Sequence, residues 1–430
     1  MGRLLLPIAA LLISDALLLI GHGIQITLLP LRAEIENFTP TEVALTGSCY
    51  FAGFVIGCLL APHIIRRVGH IRAFAVLASV FSAVMLMFHG LPDFEAWLVL
   101  RFVVGCCISG LYMIIESWLN DRATAASRGT ILSVYTVINL TMIVVGQQLL
   151  NLAEPSAATL FGLASVMLSL AIIPVCLTLS LAPAPLTPVR LDFRRVWEIS
   201  HVAILGALAS GLVTGAFWSL GPVFARGVGM NTANLTMFMS AVVLGGAIFQ
   251  LPLGRLSDKL DRRVVVLGSS LVGALLSVAI VLFSYNPQVL LVLALLWGGM
   301  VMTLYAICLA HGADNAEPHE FVLVGSCILL LFGISSVFGA PLASLFIEFM
   351  GPGGMFVYAA LCQVLFAVLV AVRRHQHIKP IIDETEHFRA MADTSPALFE
   401  LDPRTEAEDW GNQSPSADEG LVGEVGQDKA

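Results

Sequence analysis

The chain has 430 residues, of which 57% are hydrophobic and only 12% are charged, and its mean hydropathy is +0.88. Soluble domains carry about 25% charged residues, so this composition lies outside their range and indicates a protein that crosses a membrane several times. The formal charge of −8 is concentrated in an acidic tail, because residues 381–430 hold 13 acids against 3 bases.

Apolar runs of about 20 residues predict an all-α membrane protein with twelve transmembrane helices. The runs are 4–28, 42–65, 71–90, 97–119, 130–150, 157–181, 201–224, 235–254, 264–283, 289–311, 321–346 and 355–372. We interpret the first run as a span and not as a signal peptide, because it is long, contains Asp15 and lacks a small-residue cleavage site. The eight cysteines fall within the runs without a CxxC pair, which argues against a disulfide framework and against a zinc site.

One face of the fourth run is polar over most of its length. In steps of three and four it carries Arg101, Gly105, Ser109, Tyr112, Glu116 and Asn120. Ionisable groups at membrane depth cost about 2.5–3.5 kcal/mol each, so this face must line a cavity or a protein interface. On the first span, Asp15 and His22 lie on nearly the same face, about 10 Å apart.

These observations give four candidate residues for proton coupling, which are Asp15, His22, Arg101 and Glu116. A carboxylate binds a proton more readily in dry surroundings than in wet ones, so rearrangement between two states can load and release a proton. Alternatives remain for two of the four. Glu116 could be a structural carboxylate beside an arginine near the inner surface, and His22 could be a satisfied interior histidine.

A shift of 192 residues superposes the two halves of the chain. It brings Pro30 onto Pro222 and Gly23 onto Gly215, and it aligns the loop after span two with the loop after span eight. We therefore expect two six-helix bundles that arose by duplication. The predicted organisation is a first bundle at 1–181, a Pro- and Arg-rich linker at 182–200, a second bundle at 201–372 and an acidic tail at 373–430. Disorder is the prediction for the tail, with a docking segment as the alternative.

The basic residues predict the orientation of the chain in the membrane. If both termini are cytoplasmic, sixteen arginines and lysines fall in inner loops, and only Arg32 and Arg226 fall outside. This positive-inside bias predicts a bacterial inner-membrane protein with both termini in the cytoplasm.

The loop GRLSDKLDRR at 254–263 resembles GxxxDRxGRR, the loop signature of the major facilitator superfamily, with Asp261 in place of the second glycine. In the first half, Arg67 and Gly69 fit the same pattern, but Arg66 stands where the aspartate belongs. The resemblance implies a cytoplasmic gate. Its residues would be Gly254, Asp258, Lys259, Arg262 and Arg263, with Arg67 and Gly69 from the degraded copy.

RFVVG at 101–105 resembles the arginine-glycine motif of the family's fourth span, which implies a part in proton transfer for Arg101. With CYFAGFVIGCLL, RFVVGCCISGLYMIIESWLN, SRGTILSVY and LGRLSDKLDRR, the chain is similar to the YcaD-like branch over nearly all of residues 1–375. The family's antiporter signature in span five is replaced by VVGQQLL, which disfavours drug/proton antiport. The resemblance implies a central cavity surrounded by spans one, four, seven and ten.

Aromatic and amide side chains on those spans and on span five are candidates for substrate contact. They are Tyr112, Tyr135, Asn139, Trp218, Trp297 and Tyr305. Aromatic walls with a few polar groups suit an organic ligand, although helix packing or interfacial anchoring would also explain the aromatic residues. The polar groups of span five could equally hydrogen-bond neighbouring helices.

The sequence therefore predicts a secondary transporter that moves a small organic solute by alternating access with coupling to protons, as a monomer in the lipid bilayer. No P-loop, HExxH pair, GxSxG elbow or extended basic face is present, so we expect no enzyme activity, no cofactor or metal and no nucleic-acid partner. Two alternatives are efflux of hydrophobic compounds by proton antiport, and a non-transporting receptor or scaffold that signals through its tail.

Overall fold

The computed structural model describes residues 8–123, 127–178, 191–376 and 394–401. In these ranges, twelve helices are long and apolar enough to cross a membrane, which confirms the prediction of an all-α protein with twelve spans. They are α1 Ala9–Ile35, α2 Pro40–Val68, α3 His70–Gly90, α4 Phe94–Arg122, α5 Arg128–Leu149, α6 Ala158–Cys176, α7 His201–Gly227, α8 Thr232–Lys259, α9 Arg262–Leu282, α10 Pro287–Asp314, α11 Phe321–Met350 and α12 Gly354–Gln376. A linker helix covers Phe193–Ile199, and short 3₁₀ helices cover Leu150–Leu152, Pro318–Glu320 and Pro396–Leu401.

The observed helices extend past the predicted apolar runs because polar residues stabilise their ends. The first run was predicted to end at residue 28, but α1 continues through Pro30 to Ile35. In this extension Arg32 forms an ion pair with Glu36 one turn later, at 2.5 Å. At the start of α2, Thr39 and Glu42 form a reciprocal capping box. Hydrophobicity alone does not predict these polar helix ends.

The helices form two bundles, α1–α6 and α7–α12, with the same internal arrangement. In the first bundle α1 packs on α5, α2 on α4 and α3 on α6. In the second bundle α7 packs on α11, α8 on α10 and α9 on α12. Each helix thus has the partner that a repeat of six spans requires.

Two glycines related by the 192-residue shift allow equivalent helix pairs to approach closely. A Cβ added to Gly23 of α1 would lie 2.5 Å from the carbonyl oxygen of Ile143 on α5. A Cβ added to Gly215 of α7 would lie 2.6 Å from the carbonyl oxygen of Ser336 on α11. Small residues at such crossings let helix backbones touch in a membrane, where packing drives helix association.

The alternating helices give the molecule two ends. We call the end that carries the linker helix the linker end, and the other the opposite end. Near the opposite end the bundles contact each other through α2 with α7 and α11, through α5 with α8, and through α7 with α1. In the described part of the chain, α4 forms no extended interface with α10 or α11. The bundles therefore meet mainly in one half of the molecule.

Apolar side chains on the outside of the bundles match a lipid environment. Leu275 is 71% exposed, Val137 is 63% exposed and Phe349 is 87% exposed, and all three lie on predicted spans or at a span end. Residues 182–190 of the predicted linker and most of the predicted tail lie outside the described residues. Of the linker, the structure describes a short helix whose Arg195 Nε donates to Glu320 Oε1 at 2.7 Å, next to α11.

Candidate functional site

A cavity of about 170 Å³ lies between the two bundles at mid-depth, and both bundles line it. The lining residues are His22, Ile26, Tyr50, Phe51, Phe54, Tyr112, Thr136, Asn139, Leu140, Ile143, Thr214, Trp218, Val243, Gly246, Gln250, Met302, Tyr305, Phe332 and Thr394. Aromatic rings form much of the wall, and amide and hydroxyl groups supply polar points. Such a surface suits an organic ligand with few polar groups.

Five of the residues singled out from the sequence line this cavity. His22 and Tyr112 come from α1 and α4, Asn139 from α5, and Trp218 and Tyr305 from α7 and α10. Helices α1, α4, α7 and α10 therefore all line the cavity, together with α2, α5, α8 and α11. Thr214 lies one helical turn before Trp218 and presents a hydroxyl group to the same space.

The structure places Trp297 away from the cavity, inside the second bundle. Its side chain is fully buried, its Nε1 donates to Ser277 Oγ at 2.7 Å, and its ring packs against Phe217 and Phe356 with centroids 5.3 and 5.2 Å away. Trp297 and Tyr305 are eight residues apart, and at 3.6 residues per turn that separation rotates the side chain by about 80°. Trp297 therefore stabilises helix packing in this structure.

Two buried acids of the first bundle are joined by a short chain of hydrogen-bonding residues. Asn139 Nδ2 donates to Asp15 Oδ2 at 3.3 Å and to the carbonyl oxygen of Tyr135 at 2.9 Å. Tyr135 Oη donates to Glu116 Oε1 at 2.7 Å. Both carboxylates are fully buried. Tyr135, a candidate for substrate contact, thus serves the acid network behind the cavity wall.

Glu116 is bonded to hydroxyl groups, including two from the tail. Thr394 Oγ1 donates to one carboxylate oxygen and Ser395 Oγ donates to the other. Among the described residues, the hydrogen-bond donors to Glu116 are therefore hydroxyl groups and not an arginine. The sequence offered a docking segment in the tail only as the alternative to disorder, and it did not indicate that α4 would receive it.

Arg101 lies on α4 toward the opposite end and does not pair with Glu116, since fifteen residues of helix separate them by about 22 Å. Its guanidinium stacks on the ring of Tyr50, with Cζ 4.8 Å from the ring centroid, and its Nε donates to the carbonyl oxygen of Thr46 at 3.4 Å. The Tyr50 ring also stacks on His22, with centroids 6.1 Å apart. Arg101 and His22 thus share one aromatic partner at the cavity.

Comparison with known proteins identifies the family. A family model described as Major Facilitator Superfamily matches residues 11–199 and 203–406. The chain belongs to this superfamily. Its sequence is 24% identical to the MFS-type transporter YcaD of Escherichia fergusonii over 373 residues, which are 86% of this chain and 96% of that protein. It is also 24% identical to YcaD of Salmonella heidelberg over 377 residues, which are 87% of this chain and 98% of that protein.

Solved structures of superfamily transporters share the fold. A variant of the nucleoside transporter NupG superposes with a TM-score of 0.73 at 13% identity, over 85% of this chain and 99% of that one. A variant of the Escherichia coli fucose:proton symporter FucP superposes with a TM-score of 0.54 at 16% identity, over 86% of this chain and 99% of that one. The family match, the transporter relatives and the twelve apolar helices together identify the protein as a multi-pass membrane transporter of the superfamily, and not an enzyme.

The superfamily loop motif binds helices of the second bundle to one another. Arg262 at the start of α9 is buried; it donates to Asp314 at the end of α10 and to Ser257 Oγ of α8 at 2.9 Å, and it lies 3.1 Å from Asp258 Oδ1. Arg263 Nε donates to His311 Nε2 at 3.2 Å. The motif thus joins α8, α9 and α10 at the linker end.

The first-half copy of the motif is looser, as its degraded sequence indicates. Arg67 is exposed, and Gly69 adopts a φ of 84° in the turn between α2 and α3, a conformation that favours glycine. The residue equivalent to Arg262 is His70, whose Nε2 lies 3.2 Å from Ser117 Oγ. A role for either copy as a gate stays a prediction.

Several lining residues were missed because their local sequence does not distinguish them from ordinary span residues. Phe51, Phe54, Met302 and Phe332 are apolar, so nothing in the sequence separates a cavity wall from a lipid-facing or packed position. Gln250 carries a detectable signal, since it is an amide within an apolar run.

Among the described residues, no group of three or more His, Cys, Asp or Glu side chains is placed to hold a metal ion, and the eight cysteines are free.

Proposed function

We propose that the protein is a secondary active transporter that moves a small organic solute across a bacterial inner membrane by alternating access, coupled to protons. The observation that supports it best is the mid-depth cavity, which both bundles line and which adjoins the buried Asp15–Glu116 network. A site shared by two repeats can be opened to either side when the bundles rock against each other.

The distribution of basic residues supports a cytoplasmic location for the linker end. The arginines and lysines of the described chain at this end are Arg66, Arg67, Arg72, Arg122, Arg128, Arg194, Arg195, Arg255, Lys259, Arg262, Arg263 and Arg373. Arg32 and Arg226 lie at the opposite end. With the linker end in the cytoplasm, the structure is the state whose bundles are closed toward the outside.

Closure toward the outside depends on side-chain hydrogen bonds between the bundles. Gln148 Nε2 of α5 donates to the carbonyl oxygen of Thr236 at 3.1 Å and to Ser240 Oγ at 2.7 Å, both on α8. Ser48 Oγ of α2 donates to the carbonyl oxygen of Val337 on α11 at 2.6 Å. Transport requires these bonds to open while α4 approaches the second bundle at the linker end.

Asp15 is the proposed coupling residue. Its Oδ2 accepts a hydrogen bond from Asn139, whereas its buried Oδ1 has no hydrogen-bond partner among the described residues. A buried carboxylate without a cation beside it is costly, and a bound proton removes that charge. Because Asn139 also lines the cavity, cargo that bonds to the amide can alter its bond to Asp15.

The cavity wall favours a cargo with a ring and a few hydrogen-bonding groups. Tyr112, Trp218 and Tyr305 offer ring faces, and Asn139 and Gln250 offer amides. The structural neighbours named above are a nucleoside transporter and a fucose:proton symporter. Nucleosides and deoxysugars each combine a ring with several hydrogen-bonding groups, which the amide and hydroxyl groups of the wall can bind, so uridine and fucose are suitable probes.

Proteoliposomes loaded at neutral pH and diluted into acidic buffer test the proposal with radiolabelled uridine and fucose. We expect the pH gradient to drive accumulation of a probe in the wild type. Asp15→Asn should abolish gradient-driven accumulation while retaining exchange of labelled for unlabelled probe, because exchange needs no net proton movement. Glu154→Gln is the matched control, since Glu154 is an exposed acid in the loop before α6 and its replacement should change neither readout.

Accumulation that ignores the pH gradient, or an Asp15→Asn variant that accumulates probe as the wild type does, contradicts proton coupling. Accumulation only under the reversed gradient would favour the antiport alternative. If neither probe crosses the membrane, the proposed cargo class is wrong.

A further inference from the structure

The tail contains a short segment that is packed into the body of the transporter. Of the chain beyond Gln376, the structure describes residues 394–401, which end in the 3₁₀ helix Pro396–Leu401. Thr394, Ser395, Ala397 and Phe399 are all buried. Burial of this kind is unexpected in an acidic tail, and it requires a receiving surface on the helices.

The receiving surface belongs to both bundles. The segment, which we call the tail plug (residues 394–401), contacts α4 and α5 on one side and α11 on the other. Its Phe399 ring lies against Gly325 at the linker end of α11 and packs edge-on against Phe321, with ring centroids 6.3 Å apart. A Cβ added at Gly325 would overlap the Phe399 ring. The absence of a side chain at Gly325 thus creates the slot that receives Phe399.

On the first bundle, the tail plug is held by polar contacts. The hydroxyl groups of Thr394 and Ser395 occupy both oxygens of Glu116, and the backbone N–H of Ala397 donates to Ser395 Oγ at 3.2 Å. A buried carboxylate needs such hydrogen-bond donors. Tyr135 Oη donates a third hydrogen bond to Glu116. The same Thr394 side chain also forms part of the cavity wall.

We propose that the tail plug is an autoinhibitory element that closes the cavity at the linker end and blocks the transport cycle until it leaves. Two features of its position support this. It lies between α4 and α11, which form no extended interface with each other in the described chain and must approach if this end is to close. Its Thr394 also lines the cavity, so the tail plug adjoins the space that cargo would occupy.

The consequence for transport rests on the proposed function, but the occlusion itself can be measured without cargo. A cysteine placed at Ile26, which lines the cavity, reports access from the linker end when a membrane-impermeant maleimide is applied to that face. The reporter requires a background in which the eight native cysteines are replaced by alanine.

Two truncations form a matched pair. Deletion of residues 402–430 removes the distal acidic residues and retains the tail plug, whereas deletion of 394–430 removes both. Labelling of Ile26→Cys from the linker face should be about tenfold faster after the longer deletion, within the range typical of coupling between two sites, and unchanged after the shorter one. Uptake of a transported probe should rise in the same variant only.

Point variants separate occlusion from effects of truncation. Phe399→Ala empties the slot and Gly325→Leu fills it from the α11 side, so both should accelerate labelling. Phe349→Ala, which removes an exposed ring near the opposite end of α11, is the control and should leave the rate unchanged. Equal labelling rates in wild type, Phe399→Ala and the 394–430 deletion would overturn the proposal.

The outcomes distinguish the two proposals. Faster labelling without flux of any probe would support autoinhibition by the tail plug and contradict the proposed cargo class. Gradient-driven flux that is identical with and without residues 394–401, at unchanged labelling rates, would support the proposed transport function and contradict autoinhibition by the tail plug.

Discussion

Gln148 offers a direct test of the alternating-access proposal, because its side chain joins the two bundles near the opposite end. Replacement by leucine keeps its approximate size but removes the two bonds to Thr236 and Ser240. A typical hydrogen bond contributes about 1 kcal/mol net, so the loss is about 2 kcal/mol from the state that is closed at this end. At 1.4 kcal/mol per factor of ten, the ratio of open to closed molecules should rise about 30-fold.

The measurement again uses the cavity reporter Ile26→Cys, now with the impermeant maleimide applied to the opposite face. When opening and reclosing are fast relative to labelling, the labelling rate follows the population of the open state, so Gln148→Leu should raise it about 30-fold. Ser133→Ala on the same helix is the control, since the Ser133 hydroxyl bonds only to the carbonyl oxygen of Gly129 in its own helix among the contacts described. A Gln148→Leu rate within about twofold of the parent rate would refute the argument, because that difference is less than one ordinary hydrogen bond.

Two further predictions concern stability. Gly23→Ala places a Cβ against the Ile143 backbone and should destabilise the α1–α5 contact by about 1–3 kcal/mol, measured as a lower melting temperature in detergent. Gly162→Ala is the control and should not lower the melting temperature, because no atom lies within 4 Å of the added Cβ. Equal losses in both variants would contradict the packing argument. The hydrogen bond from Arg195 lowers the pKa of Glu320 from its usual 4.5, so the pair stabilises the fold above that pH and the effect is lost as the pH falls through the lowered pKa. Because the Arg195 side chain is 44% exposed, solvent screens the pair and its contribution to stability should be small. Melting temperatures of wild type and Glu320→Gln should differ slightly at pH 7 and converge in acid, and a difference that persists or grows in acid would show that the pair is not its source.

The fold was predictable from the sequence because the membrane limits what the chain can do. An apolar run of about 20 residues must form a helix, since hydrocarbon offers no other partner for its backbone. The burial of the polar face of α4 and of the polar residues of α1 was also predictable from the membrane, because Asp15 and Arg101 cannot face lipid. His22, Asn139 and Tyr305 line the cavity, whereas their roles in coupling and substrate contact stay predictions.

Contacts between distant parts of the chain were not predictable in this way. Trp297 and Tyr305 are both aromatic residues of α10, yet only Tyr305 lines the cavity, because the rotation of about 80° between them turns Trp297 toward Ser277 and Phe217 inside the second bundle. Likewise, the tail was predicted to be disordered or to dock, but the slot at Gly325 that receives Phe399 exists only once α11 is packed in the bundle. A sequence pattern predicts which residues share one face of a helix. The groups that pack against this face are determined by the assembled fold.

The distribution of groups between the bundles links the two proposals. Asp15, Asn139, Tyr135 and Glu116 all belong to the first bundle, so a rigid rocking motion would carry this acid network as a unit and would leave its internal bonds unchanged. Proton loading must then respond to something outside that bundle. Cargo in the cavity touches the network at Asn139, and the tail plug touches it at Glu116. If both proposals hold, the two occupants act on different members of one hydrogen-bonded network, and departure of the plug exposes Glu116 at the same moment that it opens the linker end.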